Sequence, residues 1–154
     1  MITKITAVAL IIGFGLSACQ VQDAPPQTRE VITVEAMPAL GPYSPAIKAG
    51  GMVYASGVIA YDYQAKTFGP PNIDAQTRLA FENLKTVLAA SGSDLNHVVK
   101  ITIFLKNPSD MGAMSKVYAE YFPGYKPART TVPGVDWGRD DVLIEIDAIA
   151  QAGQ

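Results

Sequence analysis

Hydrophobic positions change their period several times along this chain, and each change marks an element. Glu30 to Glu35 alternates as a first strand. Gly41-Pro42-Tyr43-Ser44-Pro45 is a rigid turn, because two prolines fix φ and a glycine permits a sharp bend. Met52 to Ser56 and Val58 to Tyr61 are short strands meeting at Gly57, and the turn formers of Asp62 to Pro71 close a hairpin or cross to a helix. From Asp74 to Ala90 the spacing becomes helical: Ala80, Leu84, Val87 and Leu88 share a stripe, and Ser91-Gly92 stops it. Val98 to Leu105 is a β-branched strand. Ser109 is placed to cap a second helix whose buried stripe is Met111, Met114, Val117, Tyr118 and Tyr121, ended by Pro123-Gly124. Thr130 to Val132 and Val142 to Ala150 are the last strands.

This succession predicts an α+β domain, one sheet with two helices packed on one face. In Val142–Ala150, Val142, Ile144, Ile146 and Ala148 form a purely apolar face that should meet the helices. The opposite face, with Leu143, Glu145, Asp147 and Ile149, is half apolar as well. Val98–Leu105 splits in the same way, Val99, Ile101, Ile103 and Leu105 opposing Val98, Lys100, Thr102 and Phe104. Two helices cannot cover both sides of a sheet. The second apolar face therefore predicts another subunit, with Glu145 on or near the interface.

The N-terminus changes the picture of where such a domain works. Met1-Ile2-Thr3-Lys4 is a short positive start, Ile5 to Leu16 is apolar and uncharged, and Leu16-Ser17-Ala18-Cys19 closes the run. The run is too short for a membrane span and reads as a secretion signal over residues 1–18. It resembles the bacterial lipoprotein box, in which Cys19, the chain's single cysteine, becomes the lipidated first residue. Gln20 rather than Asp after it favours the outer membrane, facing the periplasm. Residues 19–30, rich in Gln, Pro and Asp, make a flexible tether, and residues 31–154 one domain. A formal charge of −2, with no run of Lys or Arg, argues against nucleic-acid binding. One cysteine allows no intrachain disulfide, and a single histidine, His97, excludes a zinc site of His and Cys ligands. His97 itself, at the start of a strand, is expected to be a surface or hydrogen-bonded structural residue.

Arg129 and Glu145 carry the candidate chemistry. A planar guanidinium grips a carboxylate through two parallel hydrogen bonds. A carboxylate on a strand, partly walled by apolar neighbours, can orient or deprotonate water. Together they point to a pocket that holds a small carboxylic acid and hydrolyses something attached to it. Alternatives stay open at this point: Tyr43 packing a turn, Ser56-Gly57 forming a bulge, Glu145 pairing with Lys100 across strands.

An ordered set of motifs then narrows the reading. Gly41-Pro42-Tyr43-Ser44, Tyr54-Ala55-Ser56-Gly57, Gln76-Thr77-Arg78 with Asn83-Leu84-Lys85, Val98-Val99-Lys100, Pro127-Ala128-Arg129 and Ile144 through Ala150 follow one another. In that order they resemble the RidA/YjgF family of reactive-intermediate (enamine/imine) deaminases, over about residues 31 to 152. The resemblance implies a chorismate-mutase-like fold and a homotrimer with sheets turned inward. It further implies clefts between subunits that hydrolyse 2-imino acids to 2-keto acids and ammonia, without metal or cofactor. By the same resemblance Arg129 corresponds to the substrate-carboxylate arginine, Glu145 to the glutamate that positions water, Tyr43 to the tyrosine covering the pocket, and Ser56-Gly57 to its lining. Thr131 stands where characterised deaminases often have cysteine, and Ser115 where active members can have a substrate-contacting asparagine. The stretch Pro133 to Asp141 differs and is about one residue longer. A non-catalytic trimer that binds a small carboxylate through Arg129 is the alternative. Ribonuclease or translation-inhibitor activity, carried in name by some relatives, is disfavoured by the acidic balance and lone histidine.

Overall fold

A computed structural model describes residues 28–153; the apolar run, Cys19 and the first part of the tether lie outside the described residues. Eight strands and two α-helices follow in the order β1 (Glu30–Ile32), β2 (Ala46–Ala49), β3 (Met52–Ile59), β4 (Tyr61–Asp62), β5 (Thr67–Phe68), α1 (Ile73–Ala90), β6 (Val98–Leu105), α2 (Met111–Tyr121), β7 (Ala128–Pro133) and β8 (Ile144–Gln151). Six strands form one sheet in the order β1-β2-β3-β8-β6-β7, and β4-β5 is a separate small hairpin. Every sheet pairing is antiparallel except β6 with β7, which α2 connects. The edge position of β7 follows from that crossover.

Both helices pack on one face of the sheet, as the alternation requires. Ile101, Ile103 and Leu105 from β6 and Ile144, Ile146, Ala148 and Ala150 from β8 are buried there against Phe81, Leu84 and Leu88 of α1 and Met114 of α2. The opposite face carries Tyr54, Phe104, Leu143, Glu145, Asp147 and Ile149 and stays half-buried or exposed in one protomer, with Tyr54 47% accessible. The predicted unpaired apolar face is thus present.

Several local expectations are corrected. Ala46–Ala49 is a strand that alternation did not predict; it turns into β3 through Gly50 and Gly51, whose φ values of 57° and 74° suit a two-residue hairpin loop. The two strands expected on either side of Gly57 are one strand, bulged between Ala55 and Val58. A second irregularity between Val98 and Lys100 buries Val98 and leaves Val99 half-exposed, reversing their expected faces. Ser109 does not cap α2: it lies in a 3-10 turn, Pro108–Asp110, and Asp110 precedes the helix without a side-chain cap. Asn72 caps α1 through its side chain, which accepts from the Ala75 amide at 2.9 Å. His97 is an exposed residue whose Nδ1 lies 2.9 Å from Asp94 Oδ1.

Two buried amides on α1 tie its helix to the loops around the outer face. Gln76, 1% exposed, donates from Nε2 to the carbonyls of Pro70 (3.1 Å) and Asp141 (2.9 Å) and accepts from the Leu143 amide (2.9 Å). Asn83 donates to the carbonyls of Ile59 and Tyr61 at 2.9 and 3.0 Å. Gln76 thereby fixes where the chain re-enters the sheet just before Glu145. Gln76→Leu strands those partners without hydrogen bonds, and is expected to cost about 3 kcal/mol of stability. Urea unfolding at one protein concentration checks it, as a lower midpoint with unchanged slope.

Candidate active site

The sheet register sorts the predicted residues into two groups. Arg129 on β7 lies opposite Ile101, and Thr131 opposite Ile103; both face the helices, beside Ser115 of α2. Glu145 on β8 lies between Phe104 and Ile59 and projects from the other face. Since β6 separates the two strands and Arg129 is three residues away in register, the two backbones stand about 10 Å apart across the sheet and about 10 Å along it. Within one protomer the guanidinium and the carboxylate do not converge.

The first group is organised around an exposed cation. The Arg129 guanidinium carbon sits 4.8 Å from the ring centroid of Tyr118, and its Nη1 donates to Ser115 Oγ at 3.3 Å. Among the described residues no carboxylate lies within ion-pair distance of it. Its fork is therefore supported from beneath and largely unoccupied. The Tyr118 ring that supports it is buried, and its hydroxyl has no hydrogen-bond partner. Burial raises the Tyr118 pKa, with Arg129 partly opposing the shift.

The second group surrounds Glu145. The side chain lies directly over Gly57: a Cβ built there would come within 2.0 Å of Oε1, so any larger residue would displace the carboxylate. On its other side the indole N–H of Trp137 donates to Oε2 at 3.1 Å. Burial raises the Glu145 pKa; the Trp137 hydrogen bond partly opposes this and the charge of Asp147 adds to it. A carboxylate moved upward in this way is the better proton acceptor. Lys100 does not pair with it. In register Lys100 faces Ile149, and its ammonium donates to Thr130 Oγ1.

Ser56 and Tyr43 are placed beside Gly57 but are engaged internally. The Ser56 hydroxyl donates to the Ser44 carbonyl at 2.7 Å and its amide to the Pro45 carbonyl at 3.0 Å, clamping the 41–45 turn onto the bulge. Tyr43, 47% exposed, lays its ring on Gly41 and accepts from the Leu40 amide at 3.3 Å. Tyr43, Ser56 and Gly57 line a cleft of about 20 Å³. That is room for about one water, not for an amino-acid-sized substrate. Neither group is a complete site by itself.

Trp137 is the residue of this neighbourhood that sequence patterning did not single out. Its signal was present, since it is the chain's only tryptophan and lies in the stretch 133–141 that departs from the resembled family. No cluster of three or more His, Cys, Asp or Glu suited to a metal ion occurs among the described residues.

Comparison with known proteins identifies the family. Residues 33–152 match the family described as endoribonuclease L-PSP. The chain is 46% identical over 123 residues to a RutC family protein of Pyrococcus horikoshii, covering 79% of this chain and 97% of that one. It is 40% identical over 123 residues to the 3-aminoacrylate deaminase RutC of Acinetobacter baylyi, covering 79% and 97%. Among solved structures, E. coli TdcF with bound serine superposes with a TM-score of 0.73 at 30% identity, covering 80% of this chain and 99% of that one. RidA from the Antarctic bacterium Psychrobacter superposes at 0.72 with 32% identity, covering 79% and 98%. With its family matched over nearly all described residues and its two helices on one face of a mixed sheet, the chain belongs to the endoribonuclease L-PSP (RidA/RutC) family.

Proposed function

We propose that this protein hydrolyses small 2-imino or enamine acids to 2-keto acids and ammonia, in sites that two protomers of a homotrimer build together. The observation that carries the reading is the division of the site residues: an unoccupied guanidinium at one sheet edge, a raised carboxylate on the uncovered face. When β7 of one protomer lies against the outer face of the next, Arg129 meets Glu145, Gly57 and Tyr43 across the seam. The same contact covers the apolar face that the helices leave open. Two relatives are deaminases by name, the RutC of Acinetobacter baylyi and the chloroplastic Reactive Intermediate Deaminase A of Arabidopsis thaliana, 41% identical over 104 residues.

The chemistry follows from these groups. Arg129 binds the substrate carboxylate with two parallel N–H donors and fixes where the imine carbon sits. Glu145 takes a proton from water as the water oxygen bonds to that carbon. The C=N pair moves onto nitrogen, which picks up a proton. The carbinolamine then loses its hydroxyl proton, the C–N bond breaks, and ammonia leaves with the 2-keto acid remaining. One water balances the reaction, and the imine carbon is electrophilic without further activation when its nitrogen is protonated. Thr131 beside Arg129 and Ser115 beneath it belong to the carboxylate half, Ser56 to the wall through the 41–45 turn.

A second reading is favoured by Thr131, which stands where deaminases often have cysteine, and by the TdcF relative that holds serine. In it the trimer binds a small carboxylate without turnover. We also propose that the domain is lipid-anchored in the envelope through Cys19, on the strength of the residue 1–19 pattern.

Three measurements test these proposals. Generating 2-iminopropanoate in situ with the purified chain is expected to release keto acid faster than buffer. Arg129→Lys is expected to lose most of that rate, roughly tenfold or more, because an ammonium cannot reproduce a two-pronged grip. Saturable keto-acid binding with no added rate would instead select the binding reading. Arg129→Ala and Glu145→Ala trimers are each expected to be inactive, but co-assembly in equal amounts should restore about one quarter of the sites, since each site draws one group from each of two chains. No recovery would sink the shared site. Finally, mass spectrometry of the mature N-terminus is expected to find a lipid-modified Cys19, absent in Cys19→Ala. An unmodified or uncleaved N-terminus would remove the anchor.

A further inference from the structure

The structure assigns Trp137 as a positioning residue for Glu145: its indole N–H engages Oε2, leaving Oε1, beside Gly57, as the freer oxygen to hold water. This assignment rests on the deaminase reading and deepens it. A free carboxylate on a strand has two equivalent oxygens and rotates about its last bonds. Here the missing Cβ of Gly57 leaves room for the carboxylate against the strand, and the 3.1 Å hydrogen bond from Trp137 restrains its rotation there. An indole N–H is a donor only, so it can serve a carboxylate and cannot compete for the water's proton. It also favours the ionised form that accepts that proton.

The loop that presents Trp137 is held as a template rather than left to swing. Its first turn is tied by the Val135 amide to the Leu105 carbonyl at 3.0 Å, and its tip by Gly138 N to Asp136 Oδ1 at 2.8 Å. Beyond the tryptophan, Lys106 Nζ donates to the Arg139 carbonyl at 2.8 Å, and the Arg139 guanidinium sits 3.5 Å over the ring of Phe68. Gln76 closes the far end through the Asp141 carbonyl. These anchors come from β6, the β4-β5 hairpin and α1, so three separate parts of the fold fix the indole. Within the protomer the groups facing Glu145 from other strands do not ionise, being Gly57 and Ile59 on β3 and Phe104 on β6; in the proposed assembly the neighbouring protomer's Arg129 is the cation that faces it. Asp147, two residues along the same strand, is the charged neighbour.

The chain has one tryptophan, so its emission reads this contact directly. In the full chain, Trp137 emission is expected to shift through a single pH transition above the ordinary glutamate value of about 4.3. The transition should vanish in Glu145→Gln. Trp137→Phe is expected to lower kcat roughly tenfold to a hundredfold with KM nearly unchanged. Its acid limb should move to higher pH, because the lost hydrogen bond favoured the carboxylate. Adding Trp137→Phe to Glu145→Gln should cost nothing further. The assignment is overturned if emission titrates equally in Glu145→Gln, if Trp137→Phe keeps its kcat and acid limb, or if the two losses multiply. Failure of the deaminase reading looks different: no turnover in the wild-type chain, with which the catalytic consequence of Trp137 also falls.

Discussion

One sheet with two apolar faces and helices for only one of them is the constraint from which the rest follows. β8 runs through the middle of the sheet with Ile144, Ile146, Ala148 and Ala150 sealed against α1 and α2, while Leu143 and Ile149 look the other way. Leaving that second face in water costs the hydrophobic energy of its area, which a second copy of the chain would recover by covering it. The same alternation puts Glu145 on the uncovered side. The helix connection between β6 and β7 makes β7 parallel and terminal, which turns Arg129 toward α2 at the rim. Separation of the two groups is thus a consequence of topology.

That separation has an electrostatic logic. Arg129 is permanently charged, and at an exposed rim its attraction for a carboxylate is screened and weak. Closing a second protomer over it removes water, and the same two hydrogen bonds then act in a lower effective dielectric. Glu145 already has that environment in one protomer, half-buried and lifted in pKa by its burial. In the proposed trimer, assembly would bring a proton acceptor already raised by burial to an anchor that only assembly makes strong. A lone protomer would offer neither room nor grip, as the water-sized cleft beside Gly57 indicates.

Much of this was legible in the residues, and the misses have a common cause. Long periodic segments, α1 and β6 and β8, read correctly because burial on one face imposes a period that few other forces disturb. Ala46–Ala49 escaped because an Ala-Ile-Lys-Ala tetrapeptide has no strand signature of its own; pairing with β1 and β3 makes it a strand. The bulges at Ser56-Gly57 and Val98-Val99 each insert a residue and flip the expected faces, and alternation cannot anticipate an insertion. Ser109 had the right chemistry for a cap one residue too early, inside the 3-10 turn that Pro108 starts. Arg129 and Glu145 were identified as a pair and Glu145 was read onto the uncovered face, but the face of Arg129 was not read, because period two gives faces only relative to a strand's own neighbours. Register between strands, and the parallel sense of β7, decide whether two side chains can meet.

Trp137 belongs to a different class of omission. Nothing periodic leads to it, since it lies in a turn-rich stretch where glycine and aspartate set the path. What gives it a role is long-range: Gln76 on α1, Lys106 after β6 and Phe68 in the small hairpin each hold part of its loop. A loop added to a rigid scaffold can change a site without disturbing the core, because its anchors are already present as backbone carbonyls and ring faces. The residues departing from the resembled family fall on both halves, Thr131 and Ser115 around the anchor, Trp137 around the proton acceptor. Since the two halves lie on opposite faces of the sheet, a change in one need not disturb the folding around the other. In the proposed shared site, carboxylate grip and water placement would therefore be adjustable separately, each on its own surface.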